Sequence, residues 1–255
     1  MPHRLCLEIC VESVEYARAA ERGGAHRIEL CSDLSTGGIT PSLALMQTAR
    51  RYVGTPIHVL IRPRAGNFLY SDDEFEIMRT NIEVARQCGM DGIVLGILDG
   101  EARIDIPRTQ ALVELAQPLP VTFHRAFDDC ASSEQALQNV IQTGCSRILT
   151  SSGSQCATDA LSPLRRLVET AQERITIMVC GGIDHENLLR VVQATGAREI
   201  HTSMGLSRRA TGNNGYMGAN AGSGAPNAAQ DGAAAFQEDV GKLVKLATTI
   251  ARRPG

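Results

Sequence analysis

Eight short runs rich in apolar residues recur along the chain: RLCLEICV from residue 4, RIELC from 27, IHVLIRP from 57, GIVLGIL from 92, PVTFHRAF from 120, RILTSSG from 147, ITIMVCGG from 175 and REIHTSM from 198. Their length and alternation suit strands. The intervening stretches carry helical periodicity, several with boundary chemistry. Ser71 with Glu74 forms a capping box ahead of EFEIMRTNIEVARQC, and Gly89 follows as a stop. Thr40 before Pro41 reads as an N-cap with proline at the first helical position. Ser132 with Gln135 repeats the capping signal and Gly144 ends that helix, while Asp184 precedes HENLLRVVQAT with Gly196 as its stop.

Strand and helix thus alternate in units of roughly 22 to 35 residues, which predicts an α/β protein of the (β/α)8 TIM-barrel type, a fold of about 250 residues. An open doubly wound sheet is the competitor, but it usually has fewer strands, and no GxGxxG follows the first run. The 255 residues then form one domain, 1–255, interrupted by a flexible Gly/Ala/Asn-rich segment at 205–235 ahead of a last helix, FQEDVGKLVKLATTIARR. That segment reads either as an insert without order or as a lid over the barrel mouth.

Alternation also assigns side-chain direction. In the first strand Leu5, Leu7, Ile9 and Val11 share one face, so Cys6, Glu8 and Cys10 face the barrel interior. The second strand sends Arg27, Glu29 and Cys31 inward, the third His58, Leu60, Arg62 and Arg64, the fifth Thr122, His124 and Asp128, and the eighth His201 and Ser203. Polar groups therefore gather near the C-terminal strand ends, where barrel active sites are built. By the same alternation Arg125 points outward to a helix, while His26 and His185 are solvated and His58 is a satisfied core residue.

Composition narrows the partners. A net charge of −3 without a basic cluster disfavours nucleic acid, and no apolar run is long enough to span a membrane. The N-terminus leads directly into a strand and lacks signal-peptide features, so a cytoplasmic location is expected. Eight cysteines without a CxxC pair suit a reducing compartment. Lysine occurs only at 242 and 245, on no strand, which disfavours Schiff-base chemistry.

The motifs LEICVES, GGAHRIELCSDLSTGGITPS, IRPRAGNFLYSDDE, VTFHRAFD, ILTSSG, GGI and HTSMG resemble, in order and spacing, the CutC family of copper-homeostasis proteins over residues 5 to 205. The resemblance implies a cytosolic barrel, a homo-oligomer (dimer or tetramer), and in some members one Cu(I) per subunit. The cysteines associated with that ion fall on Cys10 and Cys31. Cu(I) prefers thiolate and thioether ligands, with Met178 or Met204 as further candidates. The charged set supports an alternative, an enzyme of isomerase, lyase or hydrolase type acting on a small phosphorylated or carboxylated metabolite. Glu8, Glu29 and His124 are its candidate acids and bases, and Arg62, Arg64, Asp128 and His201 its candidate ligand-binding residues. Gly181, Gly182 and Ser203 lie where many barrels bind phosphate, though the glycines also suit tight turns. A divalent metal on Glu8, Glu29, His124 and His201 is a further option, and an internal salt-bridge network that only specifies the barrel is another.

Overall fold

The computed structural model describes residues 5–206 and 228–251. Eight parallel strands close into a barrel in chain order: β1 (Cys6–Val11), β2 (Arg27–Leu30), β3 (Ile57–Leu60), β4 (Gly92–Leu95), β5 (Val121–Phe123), β6 (Arg147–Thr150), β7 (Thr176–Val179) and β8 (Glu199–Thr202). Around it lie α1 (Val14–Arg22), α2 (Leu43–Tyr52), α3 (Asp72–Gln87), α4 (Ile106–Ala116), α5 (Ser133–Thr143), α6 (Leu161–Ala171), α7 (Leu188–Thr195) and α8 (Ala228–Ala251). The TIM barrel expected from the strand–helix alternation is the observed fold. None of the helices among the described residues is long and apolar enough to cross a membrane.

The outward strand residues make the main core. Leu7, Ile9, Ile28, Leu30, Ile57 and Val59 are all fully buried between sheet and helices, each contributing about 1.5–3 kcal/mol of transfer free energy. The register that closes the ring pairs Glu8 with Arg27 on one side and with His201 on the other. Helix α8 packs on α1 and α7, completing the helical ring, with Phe236 edge-on to Tyr16 at 5.0 Å.

The boundary chemistry is partly as read. The capping box of Ser71 and Glu74 starts α3, and Ser132 caps α5, which ends at left-handed Gly144. Helix α2 is capped by Ser42, whose hydroxyl accepts from Leu45 N–H. Thr40 is engaged elsewhere, because its hydroxyl accepts from Arg62 N–H and donates to Arg62 O. Asp184 turns the chain by accepting from Glu186 and Asn187 N–H, so α7 begins only at Leu188. In the segment expected to be flexible, Ala228 to Ala235 already belong to α8, and 207–227 lie outside the described residues.

The barrel interior departs from the aliphatic layers usual for the fold. Its lower layer is ionic. Arg27 donates to Glu8, to Glu199 at 2.5 Å and to Met178 Sδ at 3.1 Å, and Arg147 reaches Glu199 at 2.9 Å. Burial opposes charge on Glu8, yet Arg27 and His201 hold its carboxyl well below the ordinary range. His58 also lies in the interior, where burial pushes its imidazole down to about 4. It was expected to be satisfied, but its Nδ1 has no hydrogen-bond partner. His26 is not simply solvated either, because its Nδ1 accepts from Leu7 N–H at 3.0 Å.

Candidate functional site

Above the ionic layer, the C-terminal strand ends enclose a cavity of about 340 Å³. Cys10 of β1 borders it, and its Sγ lies 3.6 Å from Sγ of Cys31 just after β2. Cys31 is wholly buried and donates to Val11 O at 3.5 Å. The contact with Cys31 and burial together push the Cys10 thiol well above its ordinary pKa. The Cys10 thiol therefore keeps its proton at neutral pH unless a metal displaces it.

His201 forms the floor beside the thiols. Its Nδ1 lies 2.7 Å from Glu8 Oε1 and 3.2 Å from Glu29 Oε2. Burial pushes the Glu29 carboxyl up to about 7, against the pull of His201. Glu8 is fully buried below and does not border the cavity, so it holds His201 in place without reaching a ligand.

His124 and Arg62 line the wall. The imidazole Nδ1 of His124 accepts from Ala126 N–H at 3.1 Å, which leaves the ring proton on Nε2. Burial, assisted by the Arg62 charge, pushes His124 down to about 3. A Cβ at Gly96 would sit 2.5 Å from Cε1 and Nδ1 of this ring, so only glycine leaves the imidazole its place. Arg62 donates to the carbonyls of Thr36, Gly38 and Gly66 at 2.8–3.1 Å and stacks 5.0 Å from the Phe68 centroid.

Arg64 is not part of this wall. It is drawn to the start of α3 by Glu74 at 2.5 Å and by the carbonyls of Asn67 and Leu69. Arg125, expected to face a helix, instead borders the cavity. Strand alternation stops at Phe123, and a 3-10 turn over Arg125–Asp129 redirects the chain. Asp128 fixes it there, accepting from Arg125 Nε at 2.9 Å while also taking the hydroxyls of Thr150 and Ser151. The signal that could have located Arg125 was its spacing to Asp128 at i,i+3 in a non-strand segment.

Residues 5–206 match the sequence profile of the CutC family, a range that includes every residue of this cavity. The chain belongs to the CutC family. A CutC protein of Vibrio parahaemolyticus is 47% identical over 199 residues, covering 77% of this chain and 81% of its own. The human copper homeostasis protein cutC homolog is 46% identical over 202 residues, covering 79% and 74%. The crystal structure of CutC from Streptococcus agalactiae superposes with a TM-score of 0.74 at 35% identity, over 78% of this chain and 98% of that one. Helix α8 lies beyond the matched CutC range.

Within this CutC barrel the donor atoms of Cys10, Glu29 and His201 fall within 4.8 Å of one another, the one such group of three among the described residues. The four-residue set of Glu8, Glu29, His124 and His201 does not converge in that way. Glu8 is committed to Arg27 and His201, and Nδ1 of His124 to Ala126. Met178 lies in the ionic layer against Arg27 and so falls outside the thiol pair. Met204 and the glycines Gly181 and Gly182 border a second cavity of about 530 Å³, which shares Arg125, His201 and Ser203 with the first. Close approach accounts for Gly181, because a Cβ there would lie 3.0 Å from Gln155 O.

Proposed function

We propose that this CutC protein binds Cu(I) between Cys10 and Cys31 in a reducing cytoplasm, as part of copper homeostasis. The carrying observation is the 3.6 Å separation of two buried thiol sulfurs at the barrel mouth. Two soft donors on adjacent strand ends suit Cu(I), and both thiols are buried. All eight cysteines are free thiols, consistent with that compartment. Copper would displace the proton that its surroundings retain on Cys10. The family name carried by the human relative agrees with this reading. Titration of Cu(I) against a competing chelator tests it: wild-type protein takes one ion per chain, and Cys10→Ser/Cys31→Ser takes none. Equal uptake by both would remove the site.

Glu29 favours a second reading, proton-transfer catalysis on a small ligand. It borders the cavity with a carboxyl pushed up to about 7, beside His201. A group tuned near neutral pH can both take and return a proton. Incubating small organic acids with the protein in D2O and following C–H exchange by NMR tests this. Exchange that Glu29→Gln abolishes supports it, and exchange unaffected by that change contradicts it.

A further inference from the structure

Two arginines are buried among the described residues, and they differ in one respect. Arg27 is paired with two carboxylates, Glu8 and Glu199. Arg62, 6% exposed, makes no ion pair among the described residues and donates only to neutral carbonyls. A buried charge without a counter-charge is costly, and a ligand anion is the usual remedy. The Nε of Arg62 also has no hydrogen-bond partner, and Tyr70, close to the guanidinium, is a neutral phenol.

His124 repeats the pattern. It is 5% exposed, and its Nε2 has no partner. Because Nδ1 accepts from Ala126, Nε2 carries the hydrogen and is a fixed donor. Phe68 brings the two residues together, with its ring 5.0 Å from the Arg62 guanidinium carbon and 4.8 Å from the His124 ring. Both line the 340 Å³ cavity, within the size range of small-ligand pockets.

We infer that Arg62 Nε and His124 Nε2 form a two-donor seat for the carboxylate of a small monoanionic organic acid held in the mouth cavity. One carboxylate oxygen accepts from each donor, and the ligand charge offsets that of Arg62. The stem lies along Leu34, Leu60 and Leu149, which line the same cavity. Glu29, Asp128, Asp129 and Arg125 also border it; Arg125 is paired with Asp128, and the acidic groups repel a phosphate dianion about twice as strongly as a single carboxylate. The seat is independent of copper. It supplies the ligand class for the proton-transfer reading, but its test is binding alone, so binding without C–H exchange and absence of binding are separate results.

The test uses metal-free full-length protein and follows backbone and imidazole 15N signals on titration with acetate, propionate and pyruvate. Propionamide and inorganic phosphate serve as controls. At least one carboxylate should shift the signals of His124, Arg62 and Phe68 saturably, and both controls should leave them unmoved. Arg62→Met and His124→Phe, checked for folding by circular dichroism, should each weaken binding by about tenfold or more. The wild-type shift map stands even if a variant does not fold. No saturable shift with any carboxylate, shifts confined to other parts of the surface, equal response to propionamide or phosphate, or a folded Arg62→Met that binds as wild type would each overturn the seat.

Discussion

His201 Nδ1 lies 2.7 Å from Oε1 of Glu8 across the seam where β8 meets β1. The other oxygen of Glu8 is taken by Arg27, so the floor of the site and the ionic layer beneath share one carboxylate. Removing the cation should therefore be felt through the whole barrel. Arg27→Met leaves Glu8 buried without its cation and the partly buried Glu199 with Arg147 alone, and is expected to cost roughly 3–5 kcal/mol in urea denaturation. A loss below about 1 kcal/mol would show that the layer contributes little.

Glu29 gives a pH signature. Its carboxyl is pushed up to about 7 in the folded protein by burial, above the model-peptide value of 4.5. The folded state therefore binds the proton more tightly than the unfolded state. Its contribution to stability is fully present below about pH 4.5 and is lost as pH rises through about 7, a swing of about 3 kcal/mol. Glu29→Gln should remove this swing. The wild-type minus variant stability, measured by urea at pH 4.5 and pH 8, should fall with rising pH, and a flat difference would contradict the assignment.

His124 has the opposite sign. Burial holds its imidazole down at about 3, below the ordinary 6.5. Stability from the neutral ring is present above pH 6.5 and is lost as pH falls toward 3, by on the order of 5 kcal/mol. Side-chain 15N shifts at pH 5 should show a neutral ring protonated on Nε2. A ring that titrates near pH 6.5 would disprove its burial in this state.

Gly96→Ala should disturb the same residue sterically. The added Cβ meets the His124 ring at 2.5 Å, and overpacking of this kind costs about 1–3 kcal/mol. Thermal unfolding together with a displaced His124 imidazole signal checks it, and an unchanged melting temperature with an unchanged signal would contradict it.

Side-chain direction was readable wherever a regular strand persisted. The two-residue period places Glu8, Arg27, Glu29 and His58 inside once Leu7, Ile9, Ile28 and Val59 are assigned to the helices, and the structure agrees. Past the strand ends the period carries no information. Arg125 turns into the mouth because a 3-10 turn replaces the strand, and Arg64 turns away because Glu74 draws it to the α3 terminus. Ser42 rather than Thr40 caps α2 because Thr40 is already bonded to the Arg62 backbone, a long-range contact that no local pattern reveals. The division between Glu29, which borders the cavity, and Glu8, sealed below it, likewise depends on depth along the barrel axis and not on facing.

X-ray absorption at the copper edge, on wild-type protein loaded with one Cu(I) per chain, tests the thiol pair most directly. The expected spectrum is that of Cu(I) with two sulfur neighbours, reflecting Cys10 and Cys31 at their 3.6 Å separation. Substituting either cysteine by serine should remove one sulfur from that shell. A shell of nitrogen and oxygen neighbours, unchanged in Cys10→Ser and Cys31→Ser, would contradict the account.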